Sequence, residues 1–243
     1  DLKSLPFGSA SSSLAEGTII LPMIKFHFTF DKTKNSQNLK KKLLAKYKNH
    51  PAKNSNIIVV AGGDGYMLNS LKKYVKFKKP FYGINCGTYG FLMNRYTSDN
   101  LEKKTIRAKK TTINPLQIVS CNNKVQRKPL IAVNEVSLFR QTKQTVSLKL
   151  EIEKKTIIKK LIGDGVLICT PAGSTAYNLS VHGPILSLNS GKLAVTPISP
   201  FRPRRWKGKI ISNSVKIKLT NLDPKKRPVA AVADNSEIRN IKS

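Results

Sequence analysis

The stretch Ile57-Ile58-Val59-Val60-Ala61-Gly62-Gly63-Asp64-Gly65 decides the fold. Residues 57 to 61 form a short, continuous apolar run rich in β-branched side chains, as expected for a strand covered on both faces in a parallel sheet. A glycine turn follows at once. Met67, Leu71, Tyr74 and Val75 then recur at helical spacing until Pro80, after which Phe81-Tyr82-Gly83-Ile84 resumes a strand. Upstream, Ile24, Phe26, Phe28 and Phe30 alternate with Lys25, His27 and Thr29, a period of two that marks another strand. Leu39, Leu43, Leu44 and Tyr47 lie one helical face apart, with Ser36 as the expected cap. Strand, helix, strand, helix, strand is a βαβαβ unit, and its geometry requires a parallel sheet with crossover helices.

The second half has a different rhythm. Val146, Leu148, Leu150 and Ile152 alternate with Ser147, Lys149, Glu151 and Glu153, and Val215, Ile217 and Leu219 alternate with Lys216 and Lys218. Turn residues at Asn122-Asn123, Asn213 and Asp223-Pro224 separate such segments, which points to antiparallel sheets. Only Ser174 to Leu179 has the character of a helix opening. The expected architecture is α/β + β: a Rossmann-like α/β domain followed by a mostly β domain, with the boundary near 105–110. Residues 1–22, serine-rich and aperiodic, are expected to be a loose extension; 23–107 form the α/β domain and 108–243 the β domain.

The chain has 243 residues, room for one large or two modest domains. Its 44 basic against 13 acidic side chains give a net charge of +31, so polyanionic partners are the first class to test. Lys outnumbers Arg 35 to nine and is spread from Lys3 to Lys242, whereas nucleic-acid surfaces concentrate charge and mix in Arg and aromatics. A lysine-biased solvated surface is therefore expected, and no nucleic-acid partner. Three cysteines without a CxxC pair argue against a disulfide framework or a thiolate metal site. No apolar run reaches the ~18 residues of a membrane span, and nothing at Asp1 resembles a secretory signal. A cytoplasmic protein, not membrane-bound, is expected.

Gly62-Gly63-Asp64-Gly65 lies after a buried strand and before a helix, where glycines open φ values closed to other residues and helix amides can receive a phosphate. A carboxylate beside phosphate is repelled unless it serves a hydroxyl or a cation. Asp64 is thus a candidate general base towards a substrate hydroxyl or an indirect Mg2+ partner; the competing reading is a tight turn with Asp64 capping the helix. Neither the P-loop nor the usual dinucleotide fingerprint is present. Asn85-Cys86-Gly87-Thr88-Tyr89-Gly90 follows the third strand, and in a parallel sheet both loops can face one crevice. Asn134-Glu135 interrupts the strand-like run Leu130 to Phe139, which predicts one polar side chain on each sheet face; judged alone, surface exposure is the simpler reading. Asp164 in Gly163-Asp164-Gly165 has the signature of a hairpin turn. Thr170-Pro171-Ala172-Gly173-Ser174-Thr175-Ala176-Tyr177-Asn178-Leu179-Ser180 puts small hydroxyl residues, Gly and one Tyr at a loop-to-helix junction, suited to ribose, adenine and phosphate, with helix capping as the competing explanation.

These motifs together resemble the NAD kinases. The similarity rests on GGDG at 62–65, NCGTYGFL at 85–92, NEVSLFRQ at 134–141, GDGVLICTPAGSTAYNLS at 163–180, GPIL at 183–186 and TPISPFRPRRW at 196–206, in family order, with an alphaproteobacterial cast to SPFRPRRW and to residues 233–239. The resemblance implies ATP- and Mg2+-dependent phosphorylation of the 2'-hydroxyl on the adenosine ribose of NAD, giving NADP. It implies Asp64 as proton acceptor, Gly65 beside it at NAD, and Gly62 and Gly63 at the ATP phosphates. Asn134 and Glu135 would hold ribose hydroxyls or the adjoining phosphate, Asp164 the nicotinamide end, and Thr175, Ala176, Tyr177, Asn178 and Ser180 the adenine and ribose pocket. No protein metal ligand is assigned. Family members form dimers and tetramers, commonly carry Ala where this chain has Ser190, and usually continue past the equivalent of Ser243. The alternatives are a lipid kinase of the diacylglycerol or sphingoid type, which shares a GGDG loop, and a non-catalytic nucleotide or nucleic-acid binder.

Overall fold

The computed structural model describes residues 24–88, 90–97, 100–122, 125–126 and 129–241. The expected extension at 1–22 and Tyr89 lie outside the described residues. In chain order the elements are β1 (Phe26–Phe30), α1 (Lys34–Lys46), β2 (Ile57–Gly62), α2 (Asp64–Tyr74), β3 (Phe81–Asn85), β4 (Asn94–Arg95) and α3 (Leu101–Arg107). There follow β5 (Leu116–Ile118), β6 (Cys121–Asn122), β7 (Val125–Gln126), β8 (Leu130–Ala132), β9 (Glu135–Arg140), β10 (Val146–Ile152), β11 (Lys155–Gly163) and β12 (Gly165–Cys169). The chain then runs through α4 (Tyr177–Ser180), β13 (Lys192–Ile198), β14 (Lys209–Ser212), β15 (Ile217–Asn221), β16 (Val229–Ala233) and β17 (Ser236–Ile238).

Strands β1-β2-β3-β4 form a parallel sheet in that order. Its two faces are covered separately, which is why β2 has no polar face. Val59 and Ala61 pack with Phe26, Phe28, Leu39 and Leu43 under α1, while Ile58 and Val60 pack with Met67 under α2. The helix α1 is capped by Thr33, not Ser36: Thr33 has extended backbone and accepts from the Ser36 amide, and Ser36, fully buried, donates its Oγ to Ala61 O at 2.8 Å. The two hydroxyls lie three residues apart, and the helix starts one turn earlier than the apolar spacing alone indicates.

The second half is antiparallel, as expected. A six-stranded sheet, β14-β13-β12-β9-β16-β17, lies on a three-stranded sheet, β11-β10-β15, around Val136, Leu138, Val166, Ile168 and Val195 on one side and Leu148, Leu150 and Leu161 on the other. The outer face of the large sheet presents Leu167, Cys169, Ala194 and Ile198 to Leu186 and Val181. Two expectations are corrected here. Leu130 to Phe139 is two strands, β8 and β9, broken at Val133-Asn134, so Asn134 lies on no sheet face. Gly163-Asp164-Gly165 closes no hairpin: β11 belongs to the small sheet and β12 to the large one, and Asp164 sits where the chain changes sheets.

Candidate functional site

All carboxyl ends of a parallel sheet share one edge, and there the register sets Gly62 opposite Asn85. The Cys86 amide donates to Gly62 O at 2.9 Å, so the GGDG turn and the 85–90 turn leave the sheet side by side. Asp64 is the first residue of α2, whose cap is Gly63 with no side-chain bond. Its carboxylate does not cap the helix. It accepts the backbone amides of Phe91 at 2.8 Å and Leu92 at 3.1 Å, which fixes the second turn to the first. Contrary to the expectation from composition, Gly62, Gly63 and Gly65 are absent from the positive-φ residues. What they supply is space: a Cβ at Gly62 would come within 2.9 Å of Asp31 Oδ2 and the Tyr66 ring, whereas one at Gly63 or Gly65 would meet nothing within 4 Å. The open side of this turn is where a ligand can approach the helix start.

Asp31 is a residue that the sequence reading passed over. It follows the last residue of β1, at the same sheet edge, and its Oδ1 accepts Thr33 N at 2.9 Å and Thr33 Oγ1 at 2.5 Å. The available signal was positional: an acidic residue at a parallel strand's carboxyl end.

In the β half, the bend at Val133-Asn134 is held by a carboxylate a hundred residues away. Asp234 Oδ2 accepts Val133 N at 2.9 Å, and Oδ1 accepts Asn134 N at 2.9 Å and Glu135 N at 3.3 Å. Thr170 closes the other side, donating Oγ1 to Val133 O at 2.7 Å and its amide to Asn134 O at 2.9 Å. Gly173 permits this approach, since a Cβ there would lie 2.2 Å from Asn134 O. With the backbone so fully bonded, two side-chain oxygens remain buried without a partner: Asn134 Oδ1 and Glu135 Oε2. The pair is half-buried, not the surface feature it resembles in isolation. Burial, and then the charge of Asp234, push the Glu135 carboxyl up to about 7. Glu135 faces Cys169 across the ladder, where burial pushes the thiol up to about 12.

Asp164 pairs with Arg140 at 2.6 Å, a partner the sequence reading did not name. Tyr177 is partly exposed, its ring 5.8 Å from that of Phe139, and its hydroxyl is pushed up by desolvation and then by Asp164 and Glu135, so both carboxylates lie within electrostatic reach of Tyr177. Thr175 and Ala176 are half-buried and Ser180 exposed. The helix expected near Ser174 is shorter than its pattern implies, a 3-10 turn over Ala172–Thr175 and then the single turn α4. Asn178 is fully buried; its Nδ2 donates to Ser174 O and Pro184 O, and its Oδ1 accepts Thr196 Oγ1 at 2.7 Å.

Both halves of the chain match known proteins. Residues 19–108 match the ATP-NAD kinase N-terminal domain and residues 133–242 the ATP-NAD kinase C-terminal domain. The chain belongs to the ATP-NAD kinase family. It is 44% identical over 220 residues to an NAD kinase of Brucella melitensis, covering 90% of this chain and 86% of that one. It is 46% identical over 215 residues to an NAD kinase of Zymomonas mobilis, covering 86% and 82%. An NAD kinase from Archaeoglobus fulgidus, solved in complex with ATP, shares the fold with a TM-score of 0.65 at 22% identity, over 88% of this chain and 86% of that one. Membership of this phosphotransferase family, with an alcohol as acceptor, does not favour the lipid-kinase alternative.

The family reading brings a divalent metal, and the donor set sets its limits. Among the described residues no group of three or more His, Cys, Asp or Glu side chains could hold a metal ion. Mg2+ characteristically needs only one or two carboxylates, with phosphates and water completing its shell. Asp31 and Asp64 beside the glycine turn fit that lesser requirement. Among the described residues, no helix is long and apolar enough to cross a membrane.

Proposed function

We propose that this chain transfers the γ-phosphoryl group of ATP to the 2'-hydroxyl on the adenosine ribose of NAD, with Asp64 accepting the hydroxyl proton. The observation that carries this reading is the pair of unpartnered oxygens, Asn134 Oδ1 and Glu135 Oε2, on a bend whose backbone groups are otherwise engaged. Buried acceptors without a donor are rare in native structures, and a ribose diol offers two donors. An ionised Glu135 would accept them best, so NAD favours the form that burial disfavours. In this reading Gly62 and Gly63 leave room for the ATP phosphates, and Gly65 leaves room for NAD beside Asp64. Tyr177, Thr175, Ala176 and Ser180 line the adenine and ribose pocket, and Asp164, steadied by Arg140, meets the nicotinamide end. Asn178 is assigned a supporting role, since its amide bonds hold the turn together. Mg2+ would be carried on the ATP phosphates beside Asp31 and Asp64, where it neutralises charge. Catalysis is then positioning plus proton acceptance, without a covalent enzyme intermediate.

The same reading includes a cytoplasmic location, assembly as a dimer or tetramer, and a lysine surface that serves solubility instead of nucleic acid. Boundaries of 23–107 and 108–243 are proposed for the two domains. The direct test is a coupled assay with purified protein, NAD or NADH as acceptor and ATP or polyphosphate as donor. Formation of NADP from NAD and ATP is the expected result; no 2'-phosphorylated product with any pairing would overturn the reading.

A further inference from the structure

One ion pair joins the helix that begins with Asp64 to the bend that carries Asn134 and Glu135. Lys72, two turns along α2, donates its Nζ to Asp234 Oδ2 at 2.8 Å. The Asp234 side chain is only 4% exposed, and it is the same carboxylate that accepts the amides of Val133, Asn134 and Glu135. Asp234 occupies the two-residue turn between β16 and β17 with φ of 52°, a left-handed conformation that Asp tolerates. Its neighbour Asn235 donates to Asn69 Oδ1 at 3.2 Å and accepts Lys72 Nζ at 3.4 Å, so two side chains of α2 grip this one turn.

Three consecutive amides converging on one anion form a nest, a concavity that ordinarily binds a free anion. Here the anion is part of the chain, and its charge is balanced by a lysine from the other half of the molecule. We infer that Lys72 and Asp234 are positioning residues for the phosphoryl acceptor: the pair sets the bend bearing Asn134 and Glu135 at a fixed place relative to the helix bearing Asp64. This rests on the proposed diol-binding role of that bend. About eight residues of helix, roughly 12 Å of rigid rod, connect Lys72 to Asp64, so a shift at the ion pair is carried to the base without being absorbed in a loop. Ion pairs with a buried member add little net stability against an apolar replacement, and geometry is the better-attested reason to keep one.

The charged and titratable groups near Glu135 are Asp234 from the β16–β17 turn, Lys72 from α2 behind it, Cys169 from β12 and Tyr177 from α4, while Asp164 lies at the far end of the β9–β12 ladder. Removing Lys72 leaves the Asp234 charge uncompensated and makes Glu135 harder to ionise; neutralising Asp234 does the reverse. The two substitutions therefore move the titration of Glu135 in opposite directions; a positioning role adds to this a loss of NAD affinity that persists at pH values where Glu135 is fully ionised.

The test is calorimetric NAD binding between pH 6 and 9 with the whole chain, for wild type and Lys72→Met, Lys72→Arg, Asp234→Asn and Glu135→Gln, with kcat and KM for NAD beside it. Lys72→Met is expected to weaken NAD binding about tenfold and to move the pH midpoint of binding up, while Lys72→Arg stays within about threefold of wild type. Asp234→Asn is expected to weaken binding and move the midpoint down. Lys72→Met and Asp234→Asn proteins that melt lower but bind NAD with wild-type affinity and midpoint, while Glu135→Gln binds weakly, would overturn the positioning role alone. Glu135→Gln binding NAD like wild type at every pH would overturn the diol reading and this inference with it. Lys72→Gln serves as the substitute if Lys72→Met does not fold.

Discussion

Phe91 gives its backbone amide to the Asp64 carboxylate at 2.8 Å, and Leu92 adds a second amide at 3.1 Å on the other oxygen. The proposed base is therefore oriented before any ligand arrives, with one amide on each oxygen and lone pairs left for a hydroxyl. Replacing Asp64 by Asn keeps the shape and removes the proton acceptor. The expected outcome is a fall in kcat of about 10²- to 10⁴-fold with NAD affinity within a few-fold of wild type. Steady-state kinetics paired with calorimetry checks this, and near-normal turnover would remove Asp64 from the role.

Glu135 links function and stability to pH in opposite senses. Its carboxyl stands at about 7 in the folded chain against an ordinary 4.5. Below the ordinary value both folded and unfolded states hold the proton; between the two values the folded state holds more, so its stability falls as pH rises and the loss is complete above about 7. Glu135→Gln should remove that loss, and its melting temperature should gain on wild type by several degrees from pH 5 to pH 8, measured without nucleotide. NAD affinity of the wild type should rise over the same interval, because the diol selects the carboxylate. Glu135→Ala should weaken NAD binding, and most at pH values above about 7, where the wild-type carboxylate is ionised.

The two leading glycines of the turn should fail in different ways. Gly63→Ala meets no atom within 4 Å, so the melting temperature should stay close to wild type while KM for ATP rises about tenfold or more. Gly62→Ala drives a methyl into Asp31 and Tyr66, which should cost about 1–3 kcal/mol of stability before any ligand is considered. Thermal melts beside ATP kinetics separate the two.

Asn178→Ala strips partners from the buried Ser174 carbonyl and Thr196 Oγ1 and from the part-buried Pro184 carbonyl. A loss of about 2–4 kcal/mol is expected, seen as a lower denaturant midpoint. Any fall in NAD affinity should be matched by Thr196→Val, which breaks the same network from a residue outside the pocket.

The βαβαβ unit was legible because its signals are local: β2 is apolar on both faces, and the two glycine turns follow successive strands of one parallel sheet. The Asn134-Glu135 bend was not. Apolar residues continue on both sides of it, at Ala132-Val133 and at Val136, and what breaks the strand is Asp234, about a hundred residues distant. Asp164 failed for a related reason. Gly-Asp-Gly looks the same whether it closes a hairpin or carries the chain from one sheet to the other, and only tertiary pairing distinguishes them. The polar residues of the site were named from motifs, yet the contacts that hold them in place were not: Lys72 lies in no motif, and Arg140, Phe91 and Leu92 lie within motifs whose sequence does not show that they bond Asp164 and Asp64.

Thr170 fastens the 170–175 turn to the 133–135 bend by donating both its hydroxyl and its amide to carbonyls of the bend, and Gly173 lets the two backbones touch. Neither segment is therefore a portable cassette. Grafted alone into another scaffold, the residues from Thr170 to Ser180 would arrive without the carbonyls they were shaped against. A designer wishing to move this proposed nucleotide site must transplant three separated pieces of chain, around 134, 170 and 234, and rebuild the sheet that presents them together.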